Sequence, residues 1–260
     1  LGHQDLQSSL ELEPQDQMLK LKLRGRHPDD GMTDIAYEKG CFFLKMIEEA
    51  AGREKFDAFL KGYFEKHKFQ TITTEKFVDY LEANLLEPNG LELNVKEWIY
   101  EPGVPANCPI VVSEAFNEVD RQLNEFYAHN DVNDIKGVDK NGNEWSYKEW
   151  YRLLSGIKAE TTLEQMEALE AKFNFKDNGN SEIAFKWYEQ SIKLGYKGAD
   201  KNIEDFLIRI GRRKFLTPLY RAMKETDRLD WALEIYEKAR PNYHSVSTGT
   251  MDELLGYKNV

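Results

Sequence analysis

A mostly α-helical protein is what this sequence predicts, and three observations carry the expectation. Apolar residues recur at three- and four-residue spacing along nearly all of the 260 residues, which is the signature of amphipathic helices rather than strands. Capping residues precede several of these stretches, at Thr73-Thr74, at Ser113, and at Thr162 with Gln165 three residues on. A side-chain oxygen there can accept from an otherwise orphaned helix N–H. Alternation with period two is confined to Met18-Leu19-Lys20-Leu21-Lys22-Leu23-Arg24, which reads as a short strand or an extended edge.

The first strong helix is expected over residues 34–51, with Asp34 as its N-cap and Gly52 as its stop. Phe42, Phe43, Leu44, Met46 and Ile47 make it apolar on more than one face, as suits a central helix. Residues 53–68 place Phe56, Phe59, Leu60, Tyr63, Phe64 and His67 on one stripe, so this helix covers the first. A third, over residues 74–85, carries Phe77, Tyr80, Leu81 and Leu85, and the three should pack as one unit. Between residues 87 and 113 the pattern breaks: Pro88-Asn89-Gly90 reads as a turn, and Glu101-Pro102-Gly103-Val104-Pro105 followed by Pro109 as a stiffer interruption. The expected organisation is therefore a first domain over 1–103, a Pro-rich linker over 104–113 and a second domain over 114–260. Beyond the break, residues 113–127, 146–157, 162–173, 181–194, 201–210, 218–223 and 228–240 each repeat the helical spacing. In the sixth of these, Thr217 is expected as N-cap and Pro218 as the first helical residue. Short helices joined in series by polar turns suggest a right-handed stacked array of the HEAT or armadillo type, although no repeat of fixed period accompanies them.

Composition excludes several functions. The 35 Lys+Arg against 46 Asp+Glu leave a formal charge of −11, and neither part of the chain is net basic when it is divided at Ser113. Nucleic-acid binding, which needs a basic patch or stripe, is not expected. No apolar run approaches the roughly 20 residues that span a bilayer, and residues 1–17 lack the apolar core of a signal peptide. The expectation is a soluble protein with no membrane partner, its compartment open and the cytoplasm slightly favoured. Two cysteines, Cys41 and Cys108, are too few for a disulfide framework.

Generic motifs exclude more than they offer. Zinc held from one helical face needs histidines at i and i+4, as in H-E-x-x-H, whereas His3, His27, His67, His129 and His244 are far apart. Asp139-x-Asn141-x-Asn143 resembles the start of a calcium loop. Glu144 and Trp150 then stand where that loop needs its glycine and its bidentate glutamate. No glycine-rich nucleotide loop and no G-x-S-x-G elbow is present.

Five blocks in register change the reading. Ala36-Tyr37-Glu38-Lys39-Gly40 leads an apolar helix, followed by Gly52, Phe56, Leu60, Tyr63, Phe69 and Thr73-Thr74. Next come Trp98-Ile99-Tyr100-Glu101-Pro102-Gly103-Val104-Pro105, Phe173-Asn174-Phe175 with Asn180-Ser181-Glu182-Ile183, and Gly211-Arg212-Arg213-Lys214-Phe215. In this order they resemble the C-terminal part of the zinc aminopeptidases of the leukotriene A4 hydrolase type, and the resemblance covers nearly the whole chain. It implies the helical end of a thermolysin-like catalytic domain, a Pro-rich connection, and a HEAT-like C-terminal domain closing one side of the active-site cleft. It also implies a fragment of a longer enzyme that trims N-terminal residues from short peptides. The zinc ligands would then lie upstream of Leu1, so the fragment alone, parted from the N-terminal remainder of the enzyme, should hold no zinc and be inactive.

Carried over residue by residue, Tyr37 matches the family's catalytic tyrosine, whose phenol donates to the oxyanion formed at the peptide carbonyl. Arg212 and Lys214 match the pair that holds the free carboxylate of a peptide, with the helix start expected at Thr217-Pro218 adding its dipole. Asp29 matches an acidic residue near the inner end of the substrate tunnel. Met32 stands where the epoxide hydrolase has a second tyrosine, so the resemblance implies a plain aminopeptidase rather than leukotriene hydrolysis. Set aside the resemblance and the rival is a non-enzymatic HEAT-like interaction module, in which Tyr37, Arg212 and Lys214 are ordinary structural or surface residues.

Overall fold

The structure is a computed structural model and describes residue 6 and residues 14–26, 33–110 and 112–258. It is 69% helical, with no strand among the described residues; a lone antiparallel bridge joins Val138 to Glu144. The chain divides into two compact units, Leu1–Val111 and Val112–Val260.

In the first unit, α1 (Ile35–Ala51) starts where expected but is capped differently. Asp34 makes no side-chain cap bond, and the Ile35 N–H donates instead to Thr33 Oγ1 at 3.3 Å. Gly52 ends it at φ +82°, a conformation that strains any residue with a Cβ. Helix α2 (Arg53–His67) buries Phe56 and Phe59. Helix α3 (Thr74–Leu81) begins with Thr73 Oγ1 accepting from the Lys76 N–H at 3.3 Å. It then runs on through a π-helical stretch, Glu82–Leu86, and a last turn, Glu87–Asn89. The wider turn brings the adjacent Leu85 and Leu86 both inside. Pro88 therefore belongs to the last helical turn, and the chain reverses only at left-handed Gly90. Helix α4 (Val95–Tyr100) was not expected; it carries Trp98 into full burial. Residues 18–24 run without a ladder, tied by the Lys20 N–H to the Ile99 carbonyl at 3.0 Å. Part of the Pro-rich stretch is drawn into this unit: Val104 and Cys108 pack on its core, and the Trp98 indole N–H donates to Asn107 Oδ1 at 3.0 Å.

The second unit contains α5 (Glu114–His129), α6 (Tyr147–Ser155), α7 (Leu163–Phe173), α8 (Ser181–Leu194), α9 (Asp200–Arg209), α10 (Arg213–Glu225), α11 (Leu229–Ala239) and α12 (Ser245–Leu255). Reciprocal capping boxes start α6 (Ser146 with Glu149) and α7 (Thr162 with Gln165). Helices α6, α8, α10 and α12 pack side by side in succession, and α9 packs on α11 beside them. Alternate helices thus share a layer, as in a HEAT-like array. Helix α8 is buried over most of its circumference, through Ile183, Phe185, Trp187, Tyr188 and Ile192 and also Glu189, Gln190 and Ser191, and so sits in the interior of this unit.

Two expectations fail here. Helix α10 begins at Arg213, and Pro218 lies inside it rather than at its first position, so Thr217 is not an N-cap. Burial decides the matter. Phe215, Leu216, Leu219, Tyr220 and Met223 are all buried on one face, which outweighs the single backbone bond the proline removes. Helix α12 was not foreseen either, because Ser245-Val246-Ser247-Thr248-Gly249-Thr250 is poor in helix formers; buried Met251 and Leu255 hold it in place.

Candidate functional site

Tyr37 is the third residue of α1. The buried face of that first stretch is formed by Ile35 and Lys39, 1% and 0% exposed, four residues apart and hence stacked on one side. Tyr37 falls on the other side and is 66% exposed, so its ring is not spent on packing within the unit.

Lys39 is the residue that sequence reasoning passed over. Its Nζ donates to the backbone carbonyls of Gln17 (3.1 Å) and Glu101 (2.8 Å). Burial pushes its amine down to about 8, against the opposing pull of Glu97 and Glu101. A signal was there to read: Ile35, Lys39, Phe42 and Met46 fall at helical spacing on one stripe, and the lysine interrupts it. Around this amine the Gly103 N–H donates to Gln17 Oε1 at 3.0 Å, so the Glu101-Pro102-Gly103 block is pinned to residues 14–26.

In the second unit, Arg212 is the N-cap of α10 and Lys214 its second residue. On a regular helix i and i+2 diverge, but at the helix end both cations reach one ring. The Arg212 guanidinium and Lys214 Nζ each lie 5.7 Å from the centre of Phe215, which is buried between Phe185 (5.2 Å) and Phe206 (5.7 Å). The intervening Arg213 reaches away, toward Thr250 Oγ1 at 3.5 Å. The helix start expected five residues later is thus at the pair itself, with the dipole's positive end beside the two cations. Gly211 is not left-handed, and a Cβ there would make only ordinary contact with Tyr243 at 3.6 Å. Lys214 also has a partner not anticipated: Glu182 Oε1, on the first turn of α8, at 2.6 Å. Beside them opens a polar cleft of about 410 Å³ lined by Asn178, Ser181, Tyr188, Asn202, Asp205 and Arg209. Arg212 and Lys214 are therefore two exposed cations beside one buried ring at a helix start, groups whose chemistry suits a carboxylate.

Asp29 and Met32 lie outside the described residues. Among the described residues, no three His, Cys, Asp or Glu side chains converge to hold a metal ion, and no helix is long and apolar enough to cross a membrane. The calcium-like loop is closed on itself: Asp139 Oδ1 accepts from the Asn141 and Asn143 N–H groups (2.7 and 2.9 Å), and Oδ2 from Asn143 Nδ2 (2.8 Å).

Residues 6–99 match the peptidase family M1 domain, and residues 145–255 match the leukotriene A4 hydrolase C-terminal domain. Leucine aminopeptidase 2 of Emericella nidulans is 30% identical over 254 residues, an alignment spanning 92% of this chain and 40% of that protein. Leucine aminopeptidase 2 of Candida albicans is 30% identical over 88% of this chain and 39% of its own length. The chain thus spans about two fifths of the curated relatives it matches. Among solved structures, yeast leukotriene A4 hydrolase in complex with bestatin shares the fold, with a TM-score of 0.81 at 23% identity over 98% of this chain and 45% of that one. The native enzyme from Saccharomyces cerevisiae superposes at 0.77. The two domain models fall in sequence along one chain and together take in most of it, a peptidase family M1 domain match followed by a leukotriene A4 hydrolase C-terminal domain match.

Proposed function

We propose that this chain is the C-terminal part of a zinc aminopeptidase that removes N-terminal residues from short peptides. The observation that carries the reading is the order of the two matches, a peptidase M1 domain followed by the leukotriene A4 hydrolase C-terminal domain. It favours a peptidase over a bare helical interaction module. In this reading residues 1–103 end a thermolysin-like catalytic domain, residues 104–113 connect, and residues 114–260 form the C-terminal domain. Among the described residues no cluster suits zinc, and its ligands are assigned to the rest of the protein on the resemblance.

What this chain supplies is a donor and a clamp. The Tyr37 phenol O–H donates to the oxygen of the scissile carbonyl as negative charge gathers there, which stabilises the transition state more than the bound peptide. Arg212 and Lys214 hold the far carboxylate of a short peptide and fix its register. Asp29 is assigned to the inner end of the substrate site on the resemblance alone. The test is Tyr37→Phe in the whole enzyme, assayed on an aminoacyl anilide. Losing one such donor costs about 10²–10³ in kcat with little change in KM. A kcat within a few-fold of wild type would remove Tyr37 from the mechanism.

A further inference from the structure

Among the described residues of the first unit, Lys39 is the one ionisable side chain that is fully buried, and the chemistry above makes no use of it. A buried ammonium is costly unless its protons are satisfied, and an apolar side chain of similar size often fills such a space at no loss. Its contacts say what it does instead. The amine bridges two backbone carbonyls from separate segments, Gln17 in residues 14–26 and Glu101 at the end of α4. The Lys20 to Ile99 and Gly103 to Gln17 bonds join the same two segments around it. The Glu101 carbonyl lies at the C-terminal end of α4, where the helix dipole favours a cation. Among the described residues, Glu97 and Glu101, both from that end, are the charged groups that act on the amine; residues 14–26 offer it the Gln17 carbonyl, and α1 offers the lysine itself.

Tyr37 is two residues away on the same helical stretch, roughly 200° around the axis, so it faces outward where Lys39 faces in. Among the described residues, the start of α1 is also held by buried Ile35, by the Thr33 cap bond, and by the Asp34 carbonyl, which accepts from the Tyr37 and Glu38 N–H groups at 3.1 and 2.8 Å.

We propose that Lys39 is a positioning residue for Tyr37: bound to the Gln17 and Glu101 carbonyls, its ammonium fixes the first two turns of α1 and with them the direction of the Tyr37 phenol. The catalytic part of this inference rests on reading Tyr37 as the oxyanion donor; the mechanical part does not. Because burial lowers the amine's affinity for its proton, the bridge should slacken at mildly alkaline pH, when the amine becomes neutral and a weaker donor.

The test uses the 260-residue chain with ¹³C-labelled tyrosine, the Tyr37 signal being identified by its loss in Tyr37→Phe. The Tyr37 signal should move with a midpoint near that of the Lys39 ε-carbon, near the lowered value of about 8. In Lys39→Met it should stay still, at the position wild type reaches at the alkaline end. A signal that does not move in folded wild type, or that titrates unchanged in Lys39→Met, overturns the proposal. Should the methionine variant fail to fold, the wild-type titration decides alone. In the whole enzyme, Lys39→Met should lower kcat by roughly ten- to a hundredfold, the cost of a misplaced catalytic group, with KM nearly unchanged. If Tyr37→Phe lowers kcat and Lys39→Met does not, the positioning role is refuted. If neither does while the signals remain coupled, it is the oxyanion reading that fails and the mechanical link stands.

Discussion

With Lys214 holding the substrate carboxylate as proposed, Glu182 would compete for it, and removing the Glu182 charge should tighten binding of peptides with a free C-terminus. Lys214 Nζ sits 2.6 Å from Glu182 Oε1, with the two side chains 50% and 24% exposed. A half-exposed pair of this kind is worth about 0–1 kcal/mol, so its displacement is cheap. An ammonium has three protons, so a substrate carboxylate could instead share Lys214 with Glu182. A further charge-assisted bond of ~2.8 Å would then leave the two anions about 5 Å apart. At that separation their repulsion is ~0.8 kcal/mol in water and several-fold more at lower dielectric. By either route Glu182→Gln should relieve about 1 kcal/mol, lowering KM for a free-acid tripeptide by roughly two- to fivefold at little change in kcat. The assay compares that tripeptide with its C-terminal amide, in both the wild-type and Lys214→Met backgrounds. An equal gain on the amide, or a gain that persists without Lys214, would refute the competition.

Other outcomes follow from the same geometry. Arg212→Ala should lower kcat/KM on the free-acid tripeptide by roughly one to two orders of magnitude, the worth of a charge-assisted bond, and far less on the amide; equal losses would mean that Arg212 acts through packing. Burial raises the Glu170 carboxyl above its ordinary value, although the Lys176 N–H donates to its Oε2 at 3.1 Å and the Lys176 amine stands 4.0 Å from Oε1. The folded state therefore disfavours the ionised form, and stability falls as pH rises through the folded pKa. Glu170→Gln should raise the melting temperature by a few degrees near neutral pH, for about 1–3 kcal/mol of relieved desolvation. Below the ordinary glutamate value of about 4.3 the gain should vanish; a loss at neutral pH on a thermal melt would contradict this. Zinc needs three protein ligands, so elemental analysis of the dialysed 260-residue chain should find none in stoichiometric amount.

Helix positions were legible in the sequence wherever local capping and long-range burial agreed. The Thr162/Gln165 box and the stop at Gly52 both stand where their residue types require. The reading failed where burial overruled local chemistry. Pro218 looked like a helix start because a missing N–H costs nothing there, yet the apolar face from Phe215 onward needed the helix earlier. Helix α12 was hidden for the converse reason, its first turns being weak formers held by two buried side chains. Tyr37, Arg212 and Lys214 were located by resemblance to a family and not by spacing. Glu182 could not have been matched to Lys214 from the sequence at all, since 32 residues separate them and only the packing of α8 against α10 brings them together.

Both sets of candidate residues share one construction, which bears on how a helical scaffold offers reactive groups without losing stability. Tyr37 and the Arg212–Lys214 pair stand at the first turns of helices, where side chains leave the core and backbone N–H groups point outward. Each has a buried neighbour in the same stretch, Lys39 on the inner side of α1 and Phe215 within α10. An exposed phenol or guanidinium costs the fold little, but left alone it would sample many rotamers and pay for ordering when substrate arrives. Placing a rigid, enclosed anchor one to three residues away limits the motion of the helix end while leaving the functional head in water. The anchors differ as their tasks differ. A ring beside two cations leaves each free to shift against it, as would suit the proposed hold on carboxylates of peptides of varied length. A lysine tied to two carbonyls fixes direction, as suits a donor that must meet a single oxygen.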